Sequence, residues 1–530
     1  MTEQACVVSN LSLDFPNKSI FQNLNFSLSL TQKSALIGRN GQGKSLLMQI
    51  LHQHDHTQMS YRGDVQWQVQ HLYLSQLQRL DFSQSTTIAD ILDVQNILPL
   101  FKRVENGSAS FSDYEQLEHQ WHLPQLWEKQ LADANLPTDL DFKVEHLSEG
   151  QKTKLALCHL FSHTDHYLLL DEPSNHLDAE SRQWLIRQIH QHPSGLLIIS
   201  HDRVLLQEVD HIYALNQIGL QHISGNYDDY KDFIDLKTNA LEHSIDQRKR
   251  DLKSIKNQQN EQRLKMQKRS EQAKKLRQSG SQPKMVLNAK RSQAEHSLSS
   301  IQKQQSRQIE QIQSDLSTQK NEYEILKQQR FFFHQHQFST GEILRIKNLK
   351  LPFGSTHPIH FSLNADQKIH LRGKNGSGKS TLLQIIQKSH SSGSEHIYLK
   401  AHLAYLEQHL AILDSDLNAV ENLMNFNDSL SPTEWRNLLG QLRIRGDLSM
   451  LSIAQLSGGE KLKVILLGMS HSKTPIDLLL LDEPENHLDI DSRNLLAQAI
   501  RSFNGAVILV SHDPEFILNC GIQENYDLTH

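Results

Sequence analysis

Two eleven-residue stretches, LLLDEPSNHLD at Leu168–Asp178 and LLLDEPENHLD at Leu479–Asp489, differ at one position only, Ser174 against Glu485. They lie 311 residues apart, and further matches flank them in the same order. NLSLDF (Asn10–Phe15) pairs with NLKLPF (Asn348–Phe353), and GRNGQGKS (Gly38–Ser45) with GKNGSGKS (Gly373–Ser380). LSEGQ (Leu147–Gln151) pairs with LSGGE (Leu456–Glu460), and IISHD (Ile198–Asp202) with LVSHD (Leu509–Asp513). A repeat that keeps its order over this length is a duplicated domain, and 530 residues are too many for one hydrophobic core.

The offsets locate where the copies differ. Gln76 and Gln408 are 332 apart whereas Ser148 and Ser457 are 309 apart, so the first copy holds 23 more residues between those landmarks. The polar and aromatic segment near 99–124 is the expected insertion. Between the copies, residues 235–330 contain almost no Gly or Pro except Gly280 and Pro283. Leu241, Ile245 and Leu252 fall at helical spacing, as do Leu298, Ile301, Ile312, Leu316, Tyr323 and Leu326. The reading is two long antiparallel helices with a turn at Ser279–Pro283.

Charge separates this middle segment from the rest. The chain carries a net −6, yet residues 241–330 hold 20 Lys/Arg against 10 Asp/Glu, which leaves −16 elsewhere. An acidic body with a basic middle points to a polyanionic partner for the middle alone. The three cysteines, Cys6, Cys158 and Cys520, offer neither a disulfide framework nor a CxxC metal site, as a reducing cytoplasm would suit. No run of about 18 apolar residues occurs, so no membrane span is expected. The opening MTEQACVVSNLSLDF has no basic segment followed by an apolar one, so no secretory signal is expected there. His54, Asp55 and His56 lie close together, but with 31 histidines in the chain such clusters arise by chance, and no metal site is read there.

GxxxxGKS between an apolar strand pattern (SALI) and a helical one (LLMQIL) reads as a phosphate-binding loop. Its glycines let backbone N–H groups converge on phosphate oxygens at a helix N-terminus. Gly38, Arg39, Asn40, Gly41, Gln42, Gly43, Lys44 and Ser45 make the first loop. Gly373, Lys374, Asn375, Gly376, Ser377, Gly378, Lys379 and Ser380 make the second. Lys44 and Lys379 would reach the β- and γ-phosphates, and the Ser45 and Ser380 hydroxyls would bind Mg²⁺. A glycine-rich turn before an ordinary helix explains one copy, but not two in one register. YLLL and LLLL then read as buried strands that deliver Asp171 and Asp482 to the ligand-binding end of a parallel sheet. These carboxylates suit Mg²⁺, and the next residues, Glu172 and Glu483, are placed to orient and polarise an attacking water. His201 and His512 follow a second apolar strand at the same offset, as γ-phosphate sensors would.

Phosphate loop, Gln, LSGGx, LLLDEP, NHLD and SHD in this order resemble the nucleotide-binding domain of ATP-binding cassette (ABC) proteins. Two such domains, NHLD after DEP and a basic helical linker resemble the ABC-F family, ribosome-associated ATPases of translation. The resemblance covers essentially the whole chain. It implies an α/β protein: two P-loop ABC-type nucleotide-binding domains joined by a long α-helical hairpin linker. The domains would be residues 1–230, with the insertion, a basic linker at 231–335, and 336–530. The halves of a monomer would sandwich two ATP molecules head to tail with Mg²⁺. One site would use Gly38–Ser45, Gln76, Asp171, Glu172 and His201, closed by Ser457, Gly458 and Gly459. The other would use Gly373–Ser380, Gln408, Asp482, Glu483 and His512, closed by Ser148 and Gly150. Asp178 and Asp489 would cross-link the halves. Phe15 and Phe353 stand where the family places a ring against adenine, although a core role suits a Phe equally. Two positions depart from the pattern: Glu149 replaces a glycine, and Pro514 stands where Arg203 follows the first SHD.

From Arg248 to Arg291 there are 15 Lys/Arg against three Asp/Glu. Such a run is commonly a solvated helix face. The acidic body and a length no core requires favour a phosphate-backbone contact instead. The resemblance makes the partner the ribosome, through tRNA and rRNA, with Lys274, Lys275, Arg277, Lys284, Lys290 and Arg291 as the contacting residues. A second class, the ATPase subunit of a membrane transporter, leaves the hairpin without a role. A DNA-repair or chromatin ATPase would carry far longer coiled coils or zinc modules.

Overall fold

The structure is a computed structural model, and it describes residues 3–15, 18–53, 60–75, 86–175, 177–278, 284–333, 340–353, 357–374, 376–392, 396–407, 412–486 and 488–528, without the side chains at 18, 266, 269, 270, 273–302 and 390–392. Two compact units emerge: Met1–Tyr227 with Gln329–His530, and Asp228–Gln328.

The first copy runs β1 (Gln4–Phe15), β2 (Lys18–Ser29), β3 (Lys33–Ile37), α1 (Lys44–His52), β4 (Tyr61–Trp67) and β5 (His71–Leu74). Then come α2 (Ile88–Ile91), α3 (Leu98–Glu105), α4 (Phe111–Leu117), α5 (Leu123–Asp133) and α6 (Glu149–Ser162). It closes with β6 (Tyr167–Asp171), α7 (Ala179–Gln191), β7 (Leu196–Ile199), α8 (Arg203–Leu206), β8 (His211–Asn216) and β9 (Gly219–Ser224). A six-stranded sheet has the order β5-β6-β7-β3-β8-β9, parallel except for the antiparallel β9. Strands covered on both faces need unbroken apolar runs, and KSALI, YLLLD and LLII are buried throughout. A smaller antiparallel sheet, β2-β1-β4, covers one face together with α1, enclosing a core around Leu11, Leu47, Met48 and Tyr167. The helices from α2 to α6 and α7 cover the other face around Leu131, Leu155 and Trp184.

The linker contributes α9 (Tyr227–Gln278) and α10 (Lys284–Leu326). The second copy follows with β10 (Glu342–Leu349), β11 (Ile359–Asn364), β12 (Lys368–Arg372), α11 (Lys379–Ser392), β13 (Ile397–Leu399) and β14 (Leu403–Leu406). It continues through α12 (Ala419–Phe426), α13 (Pro432–Gln441), α14 (Gly458–Ser470), β15 (Leu478–Asp482), α15 (Ile490–Ser502), β16 (Ala506–Val510), α16 (Pro514–Asn519) and β17 (Glu524–Asp527). Its parallel sheet, β14-β15-β16-β12-β17, and its antiparallel sheet, β11-β10-β13, repeat the first plan. An isolated bridge joins Thr87 to Lys143 in the first copy and Asn418 to Ser452 in the second. Between these bridges the first copy has four α-helices, α2 to α5, and the second two, α12 and α13, with a short 3₁₀ turn at Gly446–Met450, so the first copy holds two more α-helices.

Within the arm unit, α9 has 52 residues, about 78 Å at the usual helical rise. Lys237 pairs with Glu322 at 2.8 Å, Arg248 with Asp315, and Gln305 with Gln262 at 3.3 Å, so the two helices run antiparallel. Ile245 is buried in their seam. The expected turn at 279–283 lies outside the described residues.

Candidate nucleotide sites

Parallel pairing brings three chain segments to one sheet edge. β3 ends immediately before Gly38 and neighbours β7, which precedes His201; β7 in turn pairs with β6, placing Asp171 opposite Ile199. In the second copy Asp482 lies opposite Val510. Both phosphate loops need glycine where they have it. Gly41 and Gly43 have φ of 79° and 87°, and Gly376 and Gly378 have 78° and 95°, a region that side chains with a Cβ avoid. Lys44 Nζ donates to the carbonyls of Gly38 (2.7 Å) and Arg39 (3.2 Å), and Lys379 Nζ to those of Gly373 (2.8 Å) and Lys374 (3.2 Å). Burial pushes both ammonium groups below their ordinary range, against the attraction of Glu172, Asp489 and Asp171 for Lys44 and of Glu483 and Asp482 for Lys379. A buried ammonium held by loop carbonyls at a helix N-terminus suits an incoming polyanion.

The glutamates are held in strained backbone. Glu172 has φ 51° and Glu483 φ 47°, a conformation costing roughly 1–3 kcal/mol for a non-glycine residue. The Glu172 N–H donates to Ile199 O at 2.9 Å and the Glu483 N–H to Val510 O at 3.0 Å, which ties each glutamate to the strand ahead of its histidine. His201 Nε2 lies 3.4 Å from Glu172 Oε1, and His512 Nε2 lies 3.4 Å from Glu483 Oε1. The His512 contact, with a 2.7 Å hydrogen bond from Asn486 Nδ2, holds Glu483 below the usual carboxylate range. Burial drives His201 well below its ordinary value, so its ring is neutral at pH 7. Asp482 is raised by burial while the Ser380 hydroxyl and Tyr405 Oη donate to it. Ser380 and Asp482 thus stand together as hard oxygen ligands of the kind Mg²⁺ takes.

A cavity of about 990 Å³ joins the copies. Lys44, Ser45, Asp171, Glu172 and His201 line it from the first copy, as do Ser148, Glu149 and Gly150, and Glu483 and His512 line it from the second. Ser148 caps α6 in a capping box with Gln151, and Ser457 caps α14 with Glu460. A Cβ at Gly459 would fall 2.2 Å from Ser492 Oγ, so a side chain there would displace that hydroxyl.

The two sides of this interface are unequal. Asn40 N–H donates to Asp489 Oδ2 at 2.8 Å, and Arg39 Nε pairs with Asp491 at 2.7 Å. Asp489 is buried and faces Lys44 and His201 of the first copy, so the Lys44 site is capped by the second domain. Asp178 is exposed and caps its own helix at Ser181 (2.9 Å). Its repeat-related partner, Asn375, lies outside the described residues. The side chains of His512 and Glu483 are 36% and 30% exposed, against 9% and 13% for His201 and Glu172. The Lys379 site is the more open one.

Gln76, Gln408 and the His54–His56 cluster also lie outside the described residues, as do the side chains of Lys274, Lys275, Arg277, Lys284, Lys290 and Arg291. Phe15 and Phe353 are 45% and 78% exposed, so neither is a core residue. Motif reading overlooked two contributors, Arg203 and Glu485. Arg203 binds Glu515 and Asn494 across the interface; its mismatch with Pro514 was the visible trace. Arg39, expected in the first phosphate loop, also reaches Asp491 of the second copy. Glu485, the one difference in the eleven-residue repeat, is fully buried against Ser511.

The ABC transporter family matches residues 21–175 and 356–486. An uncharacterized ABC transporter ATP-binding protein, YfmM, of Bacillus subtilis is 27% identical over 97% of this chain and 96% of its own length. Ribosome protection protein VmlR of Bacillus subtilis is 26% identical over 97% and 85%. Energy-dependent translational throttle protein EttA of Haemophilus influenzae is 26% identical over 95% and 88%. The fold is also similar to a chain in the complex of archaeal ribosomal stalk protein aP1 and archaeal ribosome recycling factor aABCE1, with TM-score 0.51, 16% identity, and 96% and 86% of the two chains covered. With two matched domains, the chain belongs to the ABC transporter family and is of its ABC-F type.

Proposed function

We propose that this chain hydrolyses ATP at two composite sites and uses the cycle to bind and leave the ribosome in the cytoplasm, its arm lying against tRNA and rRNA. The observation that carries the ATPase reading is the phosphate-loop lysine, strained glutamate and histidine repeated in both copies, with both glutamates and both histidines lining one interface cavity. Lys44 and Lys379 would release their loop carbonyls to take phosphate oxygens, while Ser148 with Gly150, and Ser457 with Gly458 and Gly459, present helix N-termini from the opposite domain. Ser45 with Asp171, and Ser380 with Asp482, would hold Mg²⁺, which neutralises phosphate charge when bound. Glu172 and Glu483 accept a proton from, or orient, the attacking water, and His201 and His512 fix the far side of the γ-phosphate.

The ribosome reading rests on the relatives' names, ribosome protection protein and translational throttle protein, together with the arm. Lys249, Arg250, Lys253, Lys256, Arg263 and Lys265 are exposed along α9, a run of positive charge suited to a phosphate backbone. Among the described residues, no helix is long and apolar enough to cross a membrane. The test is cosedimentation from a lysate in the presence of ATP. Recovery with ribosomes supports the reading, and recovery with membranes alone favours a transporter subunit.

A further inference from the structure

Two departures from repeat symmetry, one in each domain, converge on one site. Glu149 takes the place of Gly458 on the first domain's side, and Glu485 takes the place of Ser174 in the second. Both line the interface cavity with Glu483 and His512. In the first copy the equivalent contact is neutral, Ser174 Oγ to Ser200 Oγ at 3.4 Å. In the second, Ser511 Oγ donates to Glu485 Oε1 and accepts from the Asp513 N–H at 3.1 Å, while Ser511 O accepts from the His370 ring at 3.0 Å. Ser511 is the residue immediately before His512. The other carboxyl oxygen, Glu485 Oε2, is buried with no hydrogen-bond partner among the described residues.

We propose that Glu485 is a positioning residue of the Lys379 site: through Ser511 it sets His512 against Glu483, and with Glu149 it makes this site the weaker of the two for a nucleoside triphosphate. The inference rests on the ATPase reading above and not on the ribosome. A fixed carboxyl hydrogen-bonded to Ser511 restricts the segment that carries the histidine, as the weaker Ser174 contact does less firmly. When ionised it also adds negative charge beside an incoming γ-phosphate. The charged and titratable groups that face it among the described residues are Arg493, Asp513 and Cys520. Burial, opposed by the Ser511 hydrogen bond, lifts the carboxyl to about 7. Its charge is therefore absent in mild acid and present in mild base.

The experiment uses the full chain with Glu172→Gln, which leaves hydrolysis to the Lys379 site, without ribosomes. Turnover and equilibrium binding of a fluorescent ATP analogue are followed between about pH 6 and about pH 8. Glu485→Gln keeps an oxygen that accepts the Ser511 hydroxyl, so kcat should stay within about twofold. At the basic end its KM and the analogue's Kd should fall about threefold relative to Glu485, the effect of one screened charge. Glu485→Ala removes the tether and should lower kcat about fivefold or more, beyond any effect on KM. Glu485→Ser, which restores the first copy's residue, should recover part of that kcat and keep the lower KM. Superimposable pH profiles for Glu485 and Glu485→Gln, or an unchanged kcat in Glu485→Ala, overturn the proposal. If the Glu172→Gln chain has no turnover at all, the assignment of Glu483 fails, and the binding profiles alone then decide on Glu485.

Discussion

Asp489 closes the Lys44 site from the opposite domain, and its replacement by Asn separates that role from its role as a helix cap. Oδ1 accepts from the Ser492 N–H at 2.8 Å, and Oδ2 from the Asn40 N–H at 2.8 Å across the interface. Asn caps helices about as well as Asp, so α15 should lose little. With Oδ1 kept on the Ser492 N–H, the Asn amide turns an NH₂ donor toward the Asn40 N–H, so the charge-assisted cross-domain bond, worth roughly 1.5–3 kcal/mol, is lost rather than replaced. The attraction to buried Lys44 goes as well. A loss near 1.4 kcal/mol is about tenfold in affinity. Titration with a fluorescent ATP analogue should therefore show the tighter of two binding classes weakened about tenfold, with Tm nearly unchanged. Asp178→Asn, made at an exposed residue, should change either class by less than about threefold. Equal effects of the two substitutions, or none from Asp489→Asn, would refute the capped-site reasoning.

Glu149→Gly restores the repeat at the signature and removes a carboxylate facing the Lys379 site. In a Glu172→Gln background, affinity or turnover there should rise about threefold, and Tm should drop slightly because α6 loses an acidic residue from its first turn. Replacing Lys274, Lys275, Arg277, Lys284, Lys290 and Arg291 with Gln should leave ATP hydrolysis without ribosomes unchanged. The same variant should bind ribosomes more weakly and with a shallower salt dependence, since fewer counterions are released; unchanged binding at every salt concentration would make the arm a spacer.

Much of the site was legible because parallel sheets translate sequence into position. An apolar strand that ends in Asp-Glu has one place to put those carboxylates, and the glycines of GxxxxGKS have one use at left-handed φ. The strain at Glu172 and Glu483 was not legible, since neither is glycine; only the Ile199 and Val510 carbonyls explain it. Nor was the asymmetry of the interface. Asp178 and Asp489 sit in identical NHLD motifs, and which of them becomes buried depends on how the two domains meet, which no periodicity records. Glu485 was visible as a mismatch, yet its meaning depends on Ser511 standing beside it, a contact between β16's end and the turn after β15.

The central claim is that two glutamate-dependent ATP sites govern residence on the ribosome. The most direct test is retention of the Glu172→Gln, Glu483→Gln double variant on purified ribosomes in the presence of ATP, with hydrolysis measured in parallel. ATP binding without turnover should leave this variant trapped on ribosomes while the wild-type chain dissociates. Hydrolysis at the wild-type rate, or a variant recovered free of ribosomes with ATP bound, would contradict the account.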